Sequence, residues 1–175
     1  MANPTMTLIS SNTVGSGGVA SVTFSSIPAT YTDLMLCCSA RSNASGVYND
    51  VLLVSLNGIT TNFSSTYLQG NGTGVETGTL ARLVGQVNGA SSTANTYNNS
   101  EIYFPNYLSN NTKSYSVNSV VESNNSGTSN TEAHFTAGLW SYTGNPAINS
   151  ITLTPNTGTL FVQYSTFYLY GIKNS

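Results

Sequence analysis

Charge is what this sequence has least of. Four Lys+Arg and six Asp+Glu occur among 175 residues, where an ordinary soluble domain has about a quarter of its residues charged. Four cations cannot neutralise a run of phosphates, so binding to nucleic acid by electrostatics is excluded. The same shortage excludes a basic patch for an anionic membrane surface. No run approaches 18 consecutive apolar residues, so nothing reads as a membrane-spanning helix. The two cysteines, Cys37 and Cys38, are neighbours, with no C-x-x-C spacing and no second cluster. They make neither a disulfide framework nor a zinc site. Successive residues of a strand point to opposite faces, so the pair is expected to be two reduced cysteines acting as small hydrophobes. The stretch MANPTMTLIS has no basic n-region and no apolar h-region, and a secretory leader is not expected.

Hydroxyl and amide side chains take the place of charge: 26 Ser, 24 Thr and 22 Asn, about two residues in five. Leu, Ile, Val and Phe number 40, and there are 11 Tyr, which is above the disordered range at so small a net charge. The chain therefore reads as one folded domain with a neutral polar surface. Its apolar residues recur at period 2 or in short runs. Nine segments fit strands: 19–24, 34–38, 51–56, 80–87, 101–107, 115–122, 133–142, 148–153 and 160–169. Asn57-Gly58 offers a type I′ turn, and QGNGTGVETGTL reads as a long loop. Ile148–Leu153 is expected to form a hairpin with Leu160–Leu169 across Thr154–Gly158. The fold class is all-β, a single antiparallel β-sandwich, jelly-roll-like, of about nine strands. Residues 19–175 form the sandwich and residues 1–18 an N-terminal arm. Met6, Leu8 and Ile9 in that arm are apolar enough to contact a neighbour by adding a strand to its sheet edge. Alternatively, Thr7–Ile9 is the domain's own first strand.

Catalytic chemistry finds little to work with. A Ser-His-Asp arrangement would need the single histidine, His134, with Asp33 or Asp50, and no nucleophile turn of G-x-S-x-G type is present. His134 sits between Ala133 and Phe135 and reads as structural. Glu122 and Glu132 flank the turn NNSGTSN and are the best carboxylate pair for glycoside hydrolysis, read first as solvated strand-end charges. Gly70–Gly74 lacks the Lys-Ser/Thr of a phosphate loop. Calcium would find oxygen ligands, but no D-x-[DN]-x-[DN]-G pattern occurs. The six N-x-[ST] sequons match what this Asn, Ser and Thr content produces by chance. No catalytic residue, cofactor or metal is expected, and the chain is not expected to be an enzyme. Tyr and Trp among hydroxyls and amides also suit stacking on sugars, and equally suit plain strand formation.

FSSIPATYTDLMLCCSARS (24–42), YLQGNG (67–72), IYFPNY (102–107), AGLWS (137–141) and FVQYSTFYLYGIK (161–173) resemble a family of structural proteins of tailed bacteriophages, common in cyanophages and other aquatic phages. The resemblance covers nearly the whole chain and carries no catalytic motif. It implies a virion component made in the host cytoplasm, and for small members a capsid decoration (cement) protein on the outer capsid surface. Such a protein binds as a homotrimer and clamps major capsid protein subunits. Similar domains on tails imply the alternative, a module that binds host glycans. An arm of 18 residues is too short for a fibre shaft and reaches at most roughly 60 Å, which favours the cement role.

Overall fold

The computed structural model describes residues 5–122 and 131–173. The turn NNSGTSN lies outside them. Twelve strands follow in order: β1 (Met6–Thr13), β2 (Val22–Phe24), β3 (Asp33–Ser39), β4 (Asn49–Leu56), β5 (Phe63–Gly70), β6 (Val75–Thr79), β7 (Leu83–Asn88), β8 (Asn99–Phe104), β9 (Lys113–Glu122), β10 (Thr131–Trp140), β11 (Ile151–Pro155) and β12 (Thr166–Ile172). Among the described residues no helix occurs, and every pairing between named strands is antiparallel. One sheet has eight strands in the order β1-β12-β3-β8-β9-β10-β5-β6; the other has four, β2-β11-β4-β7.

The sheets face each other over one apolar core. Leu34, Leu36, Ile102, Phe104, Phe167 and Leu169 from the large sheet meet Phe24, Leu52, Val54, Leu56, Ile151 and Leu153 from the small one. The period-2 patterning decides the faces: β9 and β10 alternate buried and exposed residues along almost their whole length. A one-residue slip would turn the buried set outward, so this alternation also pins the register.

Setting aside the hairpins β5–β6 and β9–β10 leaves two four-stranded sheets, β1-β12-β3-β8 and β2-β11-β4-β7. The remaining consecutive strands cross between them at nearly every step. Both hairpins join the same sheet beyond β8 and widen it from four strands to eight. Its inner face therefore runs past the narrower partner sheet, and the interior changes character there. Glu132, His134, Gln86, Ser119 and Thr136 are buried in this region. Glu132 accepts from Asn49 Nδ2 at 3.1 Å, Asn49 Nδ2 also donates to Gln86 Oε1 at 3.0 Å, and Gln86 Nε2 donates to Gln69 Oε1 at 3.3 Å.

Three strands were not among the nine expected, and one connection differs. Residues 1–18, taken as an arm with Thr7–Ile9 as the domain's own first strand the alternative, contain β1, which pairs with β12 from Met6↔Ile172 to Thr13↔Thr166, as the alternative has it. The stretch taken as a long loop contains β6, paired with β5 from Gly70↔Val75 to Thr66↔Thr79. Ile148–Leu153 and Leu160–Leu169 do not form a hairpin: β11 pairs with β2 and β4, and β12 with β1 and β3, so the turn between them is a passage from one sheet to the other. Asn57 and Gly58 both have positive φ (53° and 76°), and Leu56 and Ile59 exchange backbone hydrogen bonds, as the type I′ reading requires.

Two polar anchors hold the connections. The Arg41 guanidinium donates to the carbonyls of Ala90, Ser92, Thr93 and Thr96 at 2.6–3.3 Å, fixing the loop after β7. The buried Lys113 ammonium donates to the carbonyls of Ser109, Asn111 and Asn145, and burial lowers its pKa. Glycine serves packing at Gly138. Its cross-strand neighbour is Tyr115, whose ring lies where a Cβ would be, with Cζ 2.0 Å from that position.

Candidate functional site

The outer face of the eight-stranded sheet is a broad surface whose side chains are not used by the core. Its rows follow from the register. One runs Ser11–Tyr168–Cys37–Glu101–Asn118–Phe135–Leu68–Thr77 across all eight strands; the next runs Leu8–Tyr170–Met35–Tyr103–Ser116–Ala137–Thr66–Thr79. Glu101 is the only charged residue in either row. Phe135 is 52% exposed and Leu68 46%. Soluble monomers rarely leave this much apolar side chain contiguous without a use.

The face has two working ends. At the β1 end, Met6 and Leu8 are exposed beside Tyr170 and Tyr168, whose rings stack with centroids 6.5 Å apart. Ile9 differs from its two companions. It occupies a register shift between Leu8 and Ser10 and packs against the core. Of the three residues expected to meet a neighbour, Met6 and Leu8 stand on the outer face and Ile9 holds β1 to its own domain. β1 is also a free sheet edge of eight residues, MTLISSNT, with no charge and no proline. The opposite edge, β6, is shorter and carries Glu76.

At the hairpin end lies a groove of about 680 Å3. Small side chains, Ser116 and Ala137, make its floor in the two central strands. Met35 and Tyr103 rise on one side, Leu68 and Phe135 on the other, and Asn118 and Glu101 add polar groups. Tyr103 is held in place by donating from its hydroxyl to Asp33 Oδ2 at 2.8 Å. That bond to a carboxylate, aided by burial, raises the pKa of Tyr103, so the phenol stays protonated. Sequence reasoning missed the groove because one side of it belongs to β5 and β6, which supply Thr66, Tyr67, Leu68 and Thr77. The available signal was the alternation of Ser64, Thr66 and Leu68 against Ser65, Tyr67 and Gln69.

The residues considered for catalysis are not brought together. Glu122 lies opposite Thr131, and Glu132 opposite Val121, so the two carboxylates project from opposite faces. Glu122 accepts from the Thr93 backbone N–H and the Thr96 hydroxyl, both at 2.6 Å, and caps the loop that Arg41 holds. The carboxylate that does share a recess with Glu132 is Glu76. The recess, of about 210 Å3, also has Gln69 and Asn71 in its wall. Burial raises the pKa of Glu132, against hydrogen bonds from Gln86 and Asn49 that lower it. His134 is buried, stacks on Tyr67 with centroids 5.1 Å apart, and places Nδ1 3.3 Å from the Thr136 hydroxyl. Desolvation lowers its pKa to about 4. Asp33 also accepts from the Asn106 N–H, and Asp50 accepts from the N–H groups of Thr157 and Gly158; both act as turn anchors.

Cys37 and Cys38 are free thiols. Cys38 is buried in the core, and burial pushes its pKa up to about 12. Cys37 faces outward, its pKa raised by burial and then by Glu101. Among the described residues no group of three or more His, Cys, Asp and Glu could hold a metal ion. Gly70–Gly74 is a hairpin connection in which Asn71 Oδ1 accepts from the N–H groups of Thr73 and Gly74. No family model matches the chain, and no curated protein matches it.

Proposed function

We propose that the chain is a structural protein of a virus particle, a capsid decoration (cement) protein. It binds the outer capsid surface as a homotrimer and stabilises contacts between major capsid protein subunits. The observation that carries this reading is the β1 edge. The open side of this eight-residue strand carries no guarding charge or proline, and Met6 and Leu8 stand exposed beside Tyr168 and Tyr170. Natural sheets block such edges when they are not used, because a free edge is a template for another strand. A register shift at Ile9 is the one obstacle along it.

Two further features support the reading. The eight-strand frame left after removing the inserted hairpins alternates between sheets as two Greek keys do, the arrangement of a jelly roll. Jelly rolls recur in viral capsid and lectin domains, which is a fold-level analogy only. A nearly uncharged surface also removes the repulsion that many identical copies on one particle would otherwise feel. Attachment is then a sum of modest apolar and backbone contacts multiplied by valency.

The test is reconstitution on purified shells of a major capsid protein encoded in the same genome as this chain, read by cryo-electron microscopy and co-sedimentation. The expected result is density on the outer capsid surface at three-fold or quasi-three-fold positions. Retention should change little between 0.1 and 1 M salt, because few charges take part, and Leu8→Lys should abolish it. Density confined to the tail, or release by moderate salt, would refute the reading.

A further inference from the structure

The groove at the hairpin end is not needed for docking through β1, and its chemistry points to a ligand of its own. We infer that it is a binding site for a linear, uncharged oligosaccharide laid across strands β8, β9, β10, β5 and β6.

Charge removes the first alternatives. Glu101 is the only charged residue in the lining. Of the four cations, Arg41, Arg82 and Lys113 donate to backbone carbonyls elsewhere, and Lys173 lies beyond the end of β12. A groove with one carboxylate and no cation disfavours phosphorylated, sulfated or uronic-acid chains. Backbone chemistry removes the next. The floor strands β9 and β10 lie inside the sheet, their N–H and C=O groups committed to ladders on both sides. An extended peptide gains its affinity from a free edge; the floor offers none, and the edge strand β6 gives only Thr77 to the lining, so side chains must recognise the ligand.

What those side chains offer is apolar surface with hydroxyl and amide groups between. Phe135 stands half exposed on β10, and Tyr103, held by Asp33, lies two strands from it on β8, roughly 10 Å in the hydrogen-bonding direction. Between them the small Ser116 and Ala137 leave the floor low, and Asn118 supplies an amide. The C–H faces of sugar rings pack on aromatic and aliphatic side chains, while amides and hydroxyls order the sugar hydroxyls. From β8 to β6 there are four strand spacings, about 19 Å. That is the length of a short oligosaccharide, not of a single ring. The volume of about 680 Å3 also lies inside the range of ligand sites, roughly 300–1,000 Å3. The inserted hairpins that widened the sheet are thus what built the site.

The experiment titrates the full chain with cellotetraose, chitotetraose, maltotetraose, mannotetraose and their monosaccharides, followed by amide chemical shifts and by calorimetry. At least one tetrasaccharide should shift amides of β5, β8, β9 and β10, and its monosaccharide should bind at least tenfold more weakly. Phe135→Ala should weaken binding tenfold or more. Ala137→Trp, an exposed change that fills the floor, should abolish it with the rest of the spectrum retained. Leu8→Lys, at the far end of the sheet, should leave it unchanged, so failure here is separable from failure of capsid docking. Shifts outside the groove, binding that survives Ala137→Trp, or no shift with any of the four at 10 mM would overturn the assignment.

Discussion

His134 makes the stability of this domain sensitive to mild acid. Its ring is buried on the inner face of β10, and desolvation lowers its pKa from 6.5 to about 4. A depressed histidine favours the neutral form in the folded state. Its contribution is therefore fully present above the unfolded value and is lost as pH falls from about 6.5 towards 4, because the unfolded chain takes up the proton first. The whole effect is about 3 kcal/mol, of which about 2 kcal/mol is gone by pH 5. In a domain of this size that is about 4–8 °C in Tm. Glu132 works in the opposite sense. Burial raises its pKa, so the folded state holds the carboxyl proton more tightly and gains relative stability as pH falls through its window. The clean measurement is made in a Glu132→Gln background, comparing His134 with His134→Gln by urea unfolding at pH 7.5 and pH 5. The parent should lose about 2 kcal/mol more than the His134→Gln chain between these pH values. Losses that agree to within about 0.5 kcal/mol, below the effect that linkage requires, would refute the reasoning.

Other expectations follow from the anchors and the packing. Arg41→Met leaves four loop carbonyls without their donor and should cost about 3 kcal/mol in chemical denaturation, with Arg41→Lys recovering only part because an ammonium cannot reproduce the fork. Gly138→Ala drives a methyl into the Tyr115 ring and should cost about 3 kcal/mol. Adding Tyr115→Leu removes the clash, so the double variant should be more stable than the sum of the two losses by at least about 1 kcal/mol. Leu8→Lys changes a half-exposed side chain and should alter the Tm of the free protein by no more than about 2 °C, whatever it does to particle binding.

Strands that carried buried alternation were legible from the chain alone. Residues 115–122 and 133–142 state their faces outright, and the adjacent cysteines divide between core and surface as strand geometry demands. β5 and β6 were not legible, because SSTYLQG and VETGT are short, rich in hydroxyls and glycine, and partly exposed; β5 pairs against β10 and β6 against β5, so context places them more than their own propensity. The β11–β12 connection misled for a different reason. Thr154–Gly158 does turn the chain, but turn chemistry says nothing about which sheet receives the next strand. The groove was out of reach for that reason too. It depends on Tyr103, Ser116, Ala137 and Thr66 falling into one row, and that row is a property of registers between four strands. Ile9 shows the same limit locally: only the register shift beside it distinguishes it from Met6 and Leu8.

The pairing of β1 has a consequence in time. β12 lies between β1 and β3, so until it has been synthesised β1 has no neighbour and the large sheet ends at β3. Non-local pairing of this kind is slow, since the chain must close its widest loop before any contact rewards it. During translation the exposed edge is therefore that of β3, with Leu34 and Leu36 beside it, and this is where nascent chains would adhere to one another. Completion of β12 buries that edge and, in the same step, creates the uncharged one at β1. A chain that has not yet made β12 cannot offer this edge, so the topology itself withholds the surface until β12 is in place.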